Sequence, residues 1–248
     1  MSQLAQTRPR SITEIIDGSF RFYRARFGDL LVVSALLLVP PAIVAAIAPL
    51  WLQGVARIVS NFMYLFSQGA IAILVAAALE RNQALSAGEA FRELNGRWGK
   101  VLGASILSGL MVSIGFILLI IPGFIAASWT AVAVPVAAIE GLASSKAVER
   151  SRALAKGRMG HVLGTVILIW LIVMLLVFGV AISLGLVVGM LGIPERISGM
   201  LFELVMVPLF PLIAITATML YYDLRVRTDG ADVAAMIDAL PAAPAPSA

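Results

Sequence analysis

Few side chains in this sequence could do chemistry, and His161 is the first to consider because it is the only histidine. General acid–base catalysis or metal binding would require partner groups close to its imidazole. The chain has no cysteine, and no acidic residue lies at helical spacing from His161. We therefore interpret His161 as a basic residue at a membrane boundary, and we predict no catalytic residue, no metal site and no cofactor.

Glu203 is the second candidate, because it lies inside the apolar stretch MLFELVMVP, near the start of the last hydrophobic block and therefore near the outer end of the sixth span. An ionisable side chain in a membrane span is energetically costly and is often functional. Two interpretations are open. Glu203 either anchors the helix near the membrane boundary, paired with Arg196, or it serves transport or partner binding.

Three further acidic residues end apolar runs in the same way, in AAALE, VAAIE and LYYD. They are Glu80, Glu140 and Asp223. Each is either a charged helix end beside lipid headgroups or part of a structural ring of salt bridges on the cytoplasmic side. The ring would pair these acids with three arginines, Arg26, Arg97 and Arg158.

The elements that position these residues are membrane helices. The chain is 60% hydrophobic and only 13% charged, and its apolar residues fall into blocks of about 20 residues, the length that spans a bilayer. Backbone groups inside lipid must bond one another, so these blocks are predicted to be helices. The six predicted spans are Phe27–Leu50, Ile58–Leu79, Val101–Ile121, Phe124–Ile139, Val162–Leu191 and Met200–Tyr222.

One phrase occurs twice, as GRWGKVLG at 96–103 and GRMGHVLG at 157–164, and the start of the chain carries a weaker third copy. Each copy follows an amphipathic segment and opens a pair of apolar blocks. We interpret it as a membrane-entry turn, in which arginine reaches headgroups and glycine lets the chain bend. The predicted turn residues are Arg26, Phe27, Gly28, Arg97, Trp98, Gly99, Arg158, Met159 and Gly160.

The repeated unit predicts an all-α integral membrane protein with three helical hairpins, each preceded by a cytoplasmic interfacial amphipathic helix. The repeats cover 11–80, 86–140 and 144–223 of a single membrane domain, 1–227. Repeats in the same orientation predict a pseudo-threefold arrangement, and a less regular packing is the alternative. Residues 228–248 are expected to form a short polar tail with a disordered end.

Positive charge gives the orientation. Alternate segments hold 16 of the 18 lysine and arginine residues, which predicts cytoplasmic N- and C-termini. The N-terminus does not resemble a cleaved signal peptide, so the first span is expected to be retained. Nothing in the sequence indicates nucleic-acid binding.

Prolines interrupt several spans, at positions 40, 41, 135, 208 and 211. Broken helices line cavities in transporters, but kinked helices are also tolerated in ordinary membrane bundles. We favour ordinary kinks.

The whole chain resembles a bacterial six-helix family named after the glycerophosphoryl diester phosphodiesterase membrane domain. The likeness lies in SITEIIDGSFRFYRARFGDLL, LIIPGFIAASWTAVAVPVAAIEG, AVERSRALAKGRMGHVLG and LYYDLRVRTDGADV. We expect no soluble phosphodiesterase domain to follow, so that activity is not transferred to this chain. The resemblance implies a stand-alone module of a bacterial inner membrane.

These observations favour a non-enzymatic membrane protein that binds, handles or organises lipid, with anionic lipids on its basic cytoplasmic side. One alternative is a scaffold in a larger membrane complex, with a membrane protein partner or a homo-oligomer. A small-solute transporter is less favoured. Lipid handling predicts a cavity or lateral opening between hairpins, whereas a scaffold predicts a solid bundle.

Overall fold

The computed structural model of the protein describes residues 8–238, with the exception of the side chains at 45, 46, 50, 195, 196 and 229–238. Within this range the regular structure is entirely α-helical. The helices are α1 (Ile12–Ala25), α2 (Phe27–Ile47), α3 (Leu50–Glu80), α4 (Ala87–Glu93), α5 (Trp98–Leu118), α6 (Ile120–Thr130), α7 (Ala133–Ile139), α8 (Ser144–Ala155), α9 (Met159–Leu191), α10 (Glu195–Met206) and α11 (Pro211–Asp238).

Six candidate membrane spans confirm the predicted all-α membrane fold, by length and composition. They form three hairpins: α2 with α3, α5 with α6–α7, and α9 with α10–α11. The second span begins earlier than predicted, so Arg57 lies inside α3 and not in a loop. Helix α11 continues to Asp238 through the start of the predicted tail, and the predicted disordered end, 239–248, lies outside the described residues.

Two of the three amphipathic helices begin with reciprocal capping boxes. In α1 the side chain of Ser11 accepts the main-chain N–H of Glu14, whose carboxylate accepts the N–H of Ser11. Ser86 and Glu89 make the same pair in α4. Each box satisfies N–H groups that a helix start otherwise leaves unbonded. The boxes explain why short segments between apolar blocks become separate helices.

The amphipathic helices fold back along the second helix of a hairpin, so their apolar faces are buried against protein. Helix α1 runs antiparallel to α11, because the main-chain N–H of Arg10 bonds Asp223 and the Tyr23 hydroxyl bonds the carbonyl of Pro208. We expected these faces to rest on the membrane interface, and that expectation is wrong for Ile15 and Ile16, which α1 buries in the protein.

The other two amphipathic helices, α4 and α8, also bury an apolar face against the protein. Helix α4 packs on α3, where Leu94 is completely buried beside Gly69. Helix α8 packs on α5, α6 and α7, and the Ser151 hydroxyl accepts the N–H of Val132 at 3.3 Å. The guanidinium of Arg152 also lies 4.1 Å from the ring centre of Trp129. An apolar face of α4 and of α8 is therefore buried between helices.

The contacts between hairpins have a cyclic order. Helix α4 packs on the first hairpin, α8 on the second and α1 on the third, so each amphipathic helix covers the hairpin that precedes its own. The second helix of each hairpin likewise contacts the first helix of the next, as α3 with α5, α6 with α9 and α10 with α2. Helices α3, α7 and α11 contact one another at the centre. A pseudo-threefold arrangement requires this pattern of contacts.

The main hydrophobic core lies where these three central helices meet the amphipathic helices, and we call this end of the bundle the capped end. Every residue from 70 to 75 in α3 is at most 2% exposed, so the helix is surrounded on all sides there. By contrast, the outer half of α9 exposes large apolar side chains such as Leu175 and Met190. Such a surface suits lipid contact.

Candidate functional site

The capped end holds a buried acidic residue, Asp223, whose side chain is 0% exposed. Its carboxylate accepts the main-chain N–H of Arg10 at 2.5 Å and the Nε of Arg227 at 2.7 Å. The Nε2 atom of His161 lies 2.9 Å from the same carboxylate. A buried charge needs this kind of pairing to be tolerated. The single histidine therefore links the start of α9 to α11.

The two other acids of the predicted ring are held by neighbouring tyrosines of α11. The Tyr221 hydroxyl donates to Glu140 at 2.8 Å, and the Tyr222 hydroxyl donates to Glu80 at 2.9 Å. We call Glu80, Glu140, Tyr221, Tyr222 and Asp223 the tyrosine–acid cluster. Because Glu80 ends α3 and Glu140 follows α7, the cluster ties the ends of these two central helices to the middle of α11.

The predicted ring of salt bridges is wrong in its partners, because the entry-turn arginines bond main-chain carbonyls and not the three acids. Arg97 donates to the carbonyls of Ala138 and Ile139 at 2.8 and 3.1 Å. Arg158 donates to the carbonyl of Arg227 at 2.8 Å. Ala138 and Ile139 end α7, and the last carbonyls of a helix lack intrahelical partners, so they are available acceptors. The carbonyl of Arg227 lies inside α11. Each of these two arginines closes the base of its own hairpin.

Arg26 also bonds a main-chain carbonyl, in the first hairpin. Its guanidinium donates to the carbonyl of Leu85, beyond the end of α3, and forms a 3.0 Å salt bridge with Asp29. The acids instead pair with other arginines: Arg150 lies 3.5 Å from Glu140, and Arg225 lies 3.6 Å from Glu80.

The glycines that turn the chain are not those predicted. Gly28, Gly99 and Gly160 lie in the first turns of α2, α5 and α9, where no left-handed conformation is required. The chain reverses at Gly96 and Gly157, with φ values of 79° and 76°. These glycines precede Arg97 and Arg158, and the left-handed conformation favours glycine because it has no Cβ atom. The aromatic and methionine positions, Phe27, Trp98 and Met159, are the first helical residues of their spans.

A cavity of about 410 Å³ lies between the first and third hairpins. We call it the inter-hairpin cavity. Its walls are mostly apolar, with Leu38 from α2, Val173 from α9 and Phe202 from α10. Its mouth includes Asn61 and Trp170, which are exposed. Clefts of this size and composition bind small apolar ligands or parts of larger ones.

Glu203 lies on the wall of the inter-hairpin cavity and is half-buried. Among the residues that the structure describes, none forms a hydrogen bond or an ion pair with its carboxylate. The predicted partner, Arg196, has a side chain outside the described set. Across the cavity the Ser60 hydroxyl is buried and also has no hydrogen-bond partner. The cavity thus presents unpaired polar groups on an apolar wall.

A break in the sixth span shapes this cavity. Helix α10 ends at Met206 and α11 starts at Pro211, with Pro208 between them. Residues of this break, Val207, Leu209 and Phe210, line the cavity. Helix α2 runs through Pro40 and Pro41 without interruption. The interpretation of the prolines as ordinary kinks is wrong at 208 and 211, where the helical bonding stops between α10 and α11.

A second cavity, of about 290 Å³, lies between the second and third hairpins. Trp170 and Ile213 line both cavities, so these two side chains separate them. Ser108 faces the second cavity, and its buried hydroxyl has no hydrogen-bond partner. The bundle therefore contains cavities on two sides of the third hairpin.

Sequence reasoning missed Tyr221, Tyr222 and the cavity wall around Ser60. The tyrosine pair had a signal, since two adjacent hydroxyl-bearing rings precede an acid at the end of an apolar run. In the part of the chain that the structure describes, no group of three or more histidine, aspartate or glutamate residues could hold a metal ion.

Comparison of the chain with protein-family models gave no match, and comparisons with curated proteins and with solved structures gave none either. The resemblance to the bacterial membrane-domain family therefore stays a prediction, based on the sequence stretches that carry it.

Proposed function

We propose that this protein is a non-enzymatic membrane protein that binds membrane lipid between its first and third hairpins. The observation that carries the proposal is the inter-hairpin cavity. It is apolar, it has the volume of a ligand site, and it reaches the lipid-facing surface through the exposed side chain of Trp170. An acyl chain would enter from the bilayer beside Trp170.

The cavity favours lipid binding over a scaffold role. A scaffold of packed helices needs a solid bundle, whereas here about 410 Å³ lies between the first and third hairpins and about 290 Å³ between the second and third. Protein interiors are normally packed to crystal-like density. Open apolar volume between membrane helices therefore supports a lipid that fills it.

We also propose a bacterial cytoplasmic membrane location, with both termini on the cytoplasmic side, and an internal repeat as the origin of the fold. Support for the orientation comes from the lysine and arginine residues of the chain, most of which belong to segments at the capped end. These residues would attract anionic headgroups. Support for the repeat comes from the two matching entry phrases and the cyclic contacts of the hairpins.

The experiment that tests the proposal fills the cavity. Val173 lines it and is 7% exposed, so Val173→Phe places a ring into the cavity volume. The matched control is Val187→Phe on the same helix, because Val187 is 49% exposed and does not line the cavity. Both variants are extracted into lipid nanodiscs, transferred to detergent and weighed by native mass spectrometry.

Lipid binding predicts that the wild type and Val187→Phe retain a defined number of lipids, and that Val173→Phe loses about one lipid per chain. Equal retention in all three proteins would reject the cavity as a lipid site. Circular dichroism of each variant checks that the helical content is unchanged.

A further inference from the structure

One charged side chain on the wall of the inter-hairpin cavity, and another on a helix that lines it, form no hydrogen bond or salt bridge with the described part of the chain. Glu203 lies on its wall, and Arg57 lies on α3, whose residues 60, 61 and 64 form the opposite wall. Among the residues that the structure describes, neither Glu203 nor Arg57 has a hydrogen bond or a salt bridge, and the two do not pair with each other. The chain thus holds one unpaired carboxylate and one unpaired guanidinium in this region.

Arg57 shares a helix face with the polar wall of the cavity. Its spacing to Ser60, Asn61 and Tyr64 is three, four and seven residues, which places all four side chains on one stripe of α3. The last three residues line the cavity. Arg57 is exposed and lies one turn beyond them, towards the turn that joins α2 to α3. Its long side chain can therefore serve a ligand that extends out of the cavity.

An unpaired charge beside apolar helices is costly unless a ligand compensates for it. A carboxylate is matched by an ammonium group, and a guanidinium is matched by a phosphate, with two parallel hydrogen bonds. The buried Ser60 hydroxyl, which has no partner, supplies a further hydrogen bond on the same wall. A ligand that carries both an ammonium and a phosphate, joined to an apolar tail, would satisfy all three groups.

We infer that the inter-hairpin cavity binds a zwitterionic phospholipid with an ammonium headgroup. The acyl chain fills the apolar volume, the ammonium lies against Glu203, and the phosphate lies against Arg57. This inference rests on the proposed lipid-binding function and names its ligand. An anionic lipid would pair its phosphate with Arg57 but leave Glu203 without a cation, and an alkylamine would leave Arg57 unpaired.

The test measures which lipid is retained when each charge is removed. Wild type, Glu203→Gln and Arg57→Gln are reconstituted with equal amounts of phosphatidylethanolamine and phosphatidylglycerol. Retained lipids are then identified by native mass spectrometry. The matched controls are Glu149→Gln on α8 and Arg21→Gln on α1, both at exposed positions that do not line the cavity.

The wild type is expected to retain phosphatidylethanolamine over phosphatidylglycerol by about tenfold, the effect of one charge-assisted contact. Glu203→Gln should bring this ratio close to one while the total retained lipid stays similar. Arg57→Gln should lower retention of both lipids about tenfold, because both carry a phosphate. The two control variants should behave as the wild type.

An unchanged headgroup ratio in Glu203→Gln would overturn the inference, and so would full retention of both lipids in Arg57→Gln. These results are separable from failure of the lipid-binding proposal. If Val173→Phe loses lipid but Glu203→Gln keeps the wild-type ratio, the cavity binds lipid without recognising an ammonium. If Val173→Phe retains all lipid, the lipid-binding proposal itself is wrong.

Discussion

The buried carboxylate of Asp223 should be the most important polar group for the stability of the capped end. It bonds Arg10, His161 and Arg227 from the start of the chain, α9 and α11. Asp223→Asn preserves the size of the side chain but removes the negative charge and replaces one acceptor oxygen with a donor. Arg227 then faces an amide that cannot neutralise it.

The expected loss follows from the burial of this pair. The side chain of Asp223 is 0% exposed, and that of Arg227 is 25% exposed. Breaking a buried ion pair by removing one partner costs about 3 kcal/mol or more. For a chain of this size each kcal/mol corresponds to about 3 °C in Tm, so Asp223→Asn should lower Tm by about 10 °C.

The assay is thermal unfolding in detergent micelles, followed by circular dichroism. The control is Asp17→Asn, because Asp17 is exposed on α1, and this change should shift Tm by about 2 °C or less. In a double-mutant cycle, Arg227→Gln should destabilise the wild type more than it destabilises Asp223→Asn. Equal Tm values for Asp223→Asn and Asp17→Asn would refute the reasoning.

Two further predictions concern Gly69 of α3 and the capping box of the amphipathic helix α4. A Cβ atom on Gly69 would lie 2.9 Å from Val101, so Gly69→Ala should lower the free energy of unfolding by about 1–3 kcal/mol. The control is Gly109→Ala, which should leave the free energy of unfolding unchanged because the space around Gly109 is open. Denaturant titration of both variants measures the difference. The main-chain N–H of Ser86 bonds the Glu89 carboxylate and lowers its pKa. The carboxylate therefore stabilises the folded protein fully above the ordinary glutamate pKa of about 4.3. This stabilisation is lost as the pH falls through the lower pKa of the folded state. The Tm difference between wild type and Glu89→Gln should therefore be largest at neutral pH and disappear in acid, and a difference that does not change with pH would contradict the capping role.

Much of the architecture was predictable, because membrane helices carry their length and apolar character in the local sequence. The entry phrases identified the starts of α5 and α9, and Trp98 and Met159 are their first residues. The partners of the entry arginines were not predictable in the same way. Arg97 bonds carbonyls at the end of α7, about 40 residues away in the chain, and every helix end offers such acceptors.

The existence of a cavity between hairpins was predictable, but its position was not. A lipid-binding role predicted a cavity between hairpins, but its place depends on how α3, α9 and α10 cross, which no local pattern encodes. Glu203 was identified as a candidate because a charge in an apolar run is conspicuous. Arg57 was interpreted as a loop residue, since nothing in the sequence shows that α3 extends back to Leu50. Only because α3 begins before Arg57 does the three-residue spacing to Ser60 place both side chains on one face of the helix.

The most direct test of the lipid-binding account is a cryo-EM map of the protein in nanodiscs made from native lipid. The account predicts elongated density in the inter-hairpin cavity, between Val173 of α9 and Ser60 of α3, with a headgroup near Glu203. A map in which the first and third hairpins close on each other, with side chains filling the cavity and no lipid between them, would contradict it.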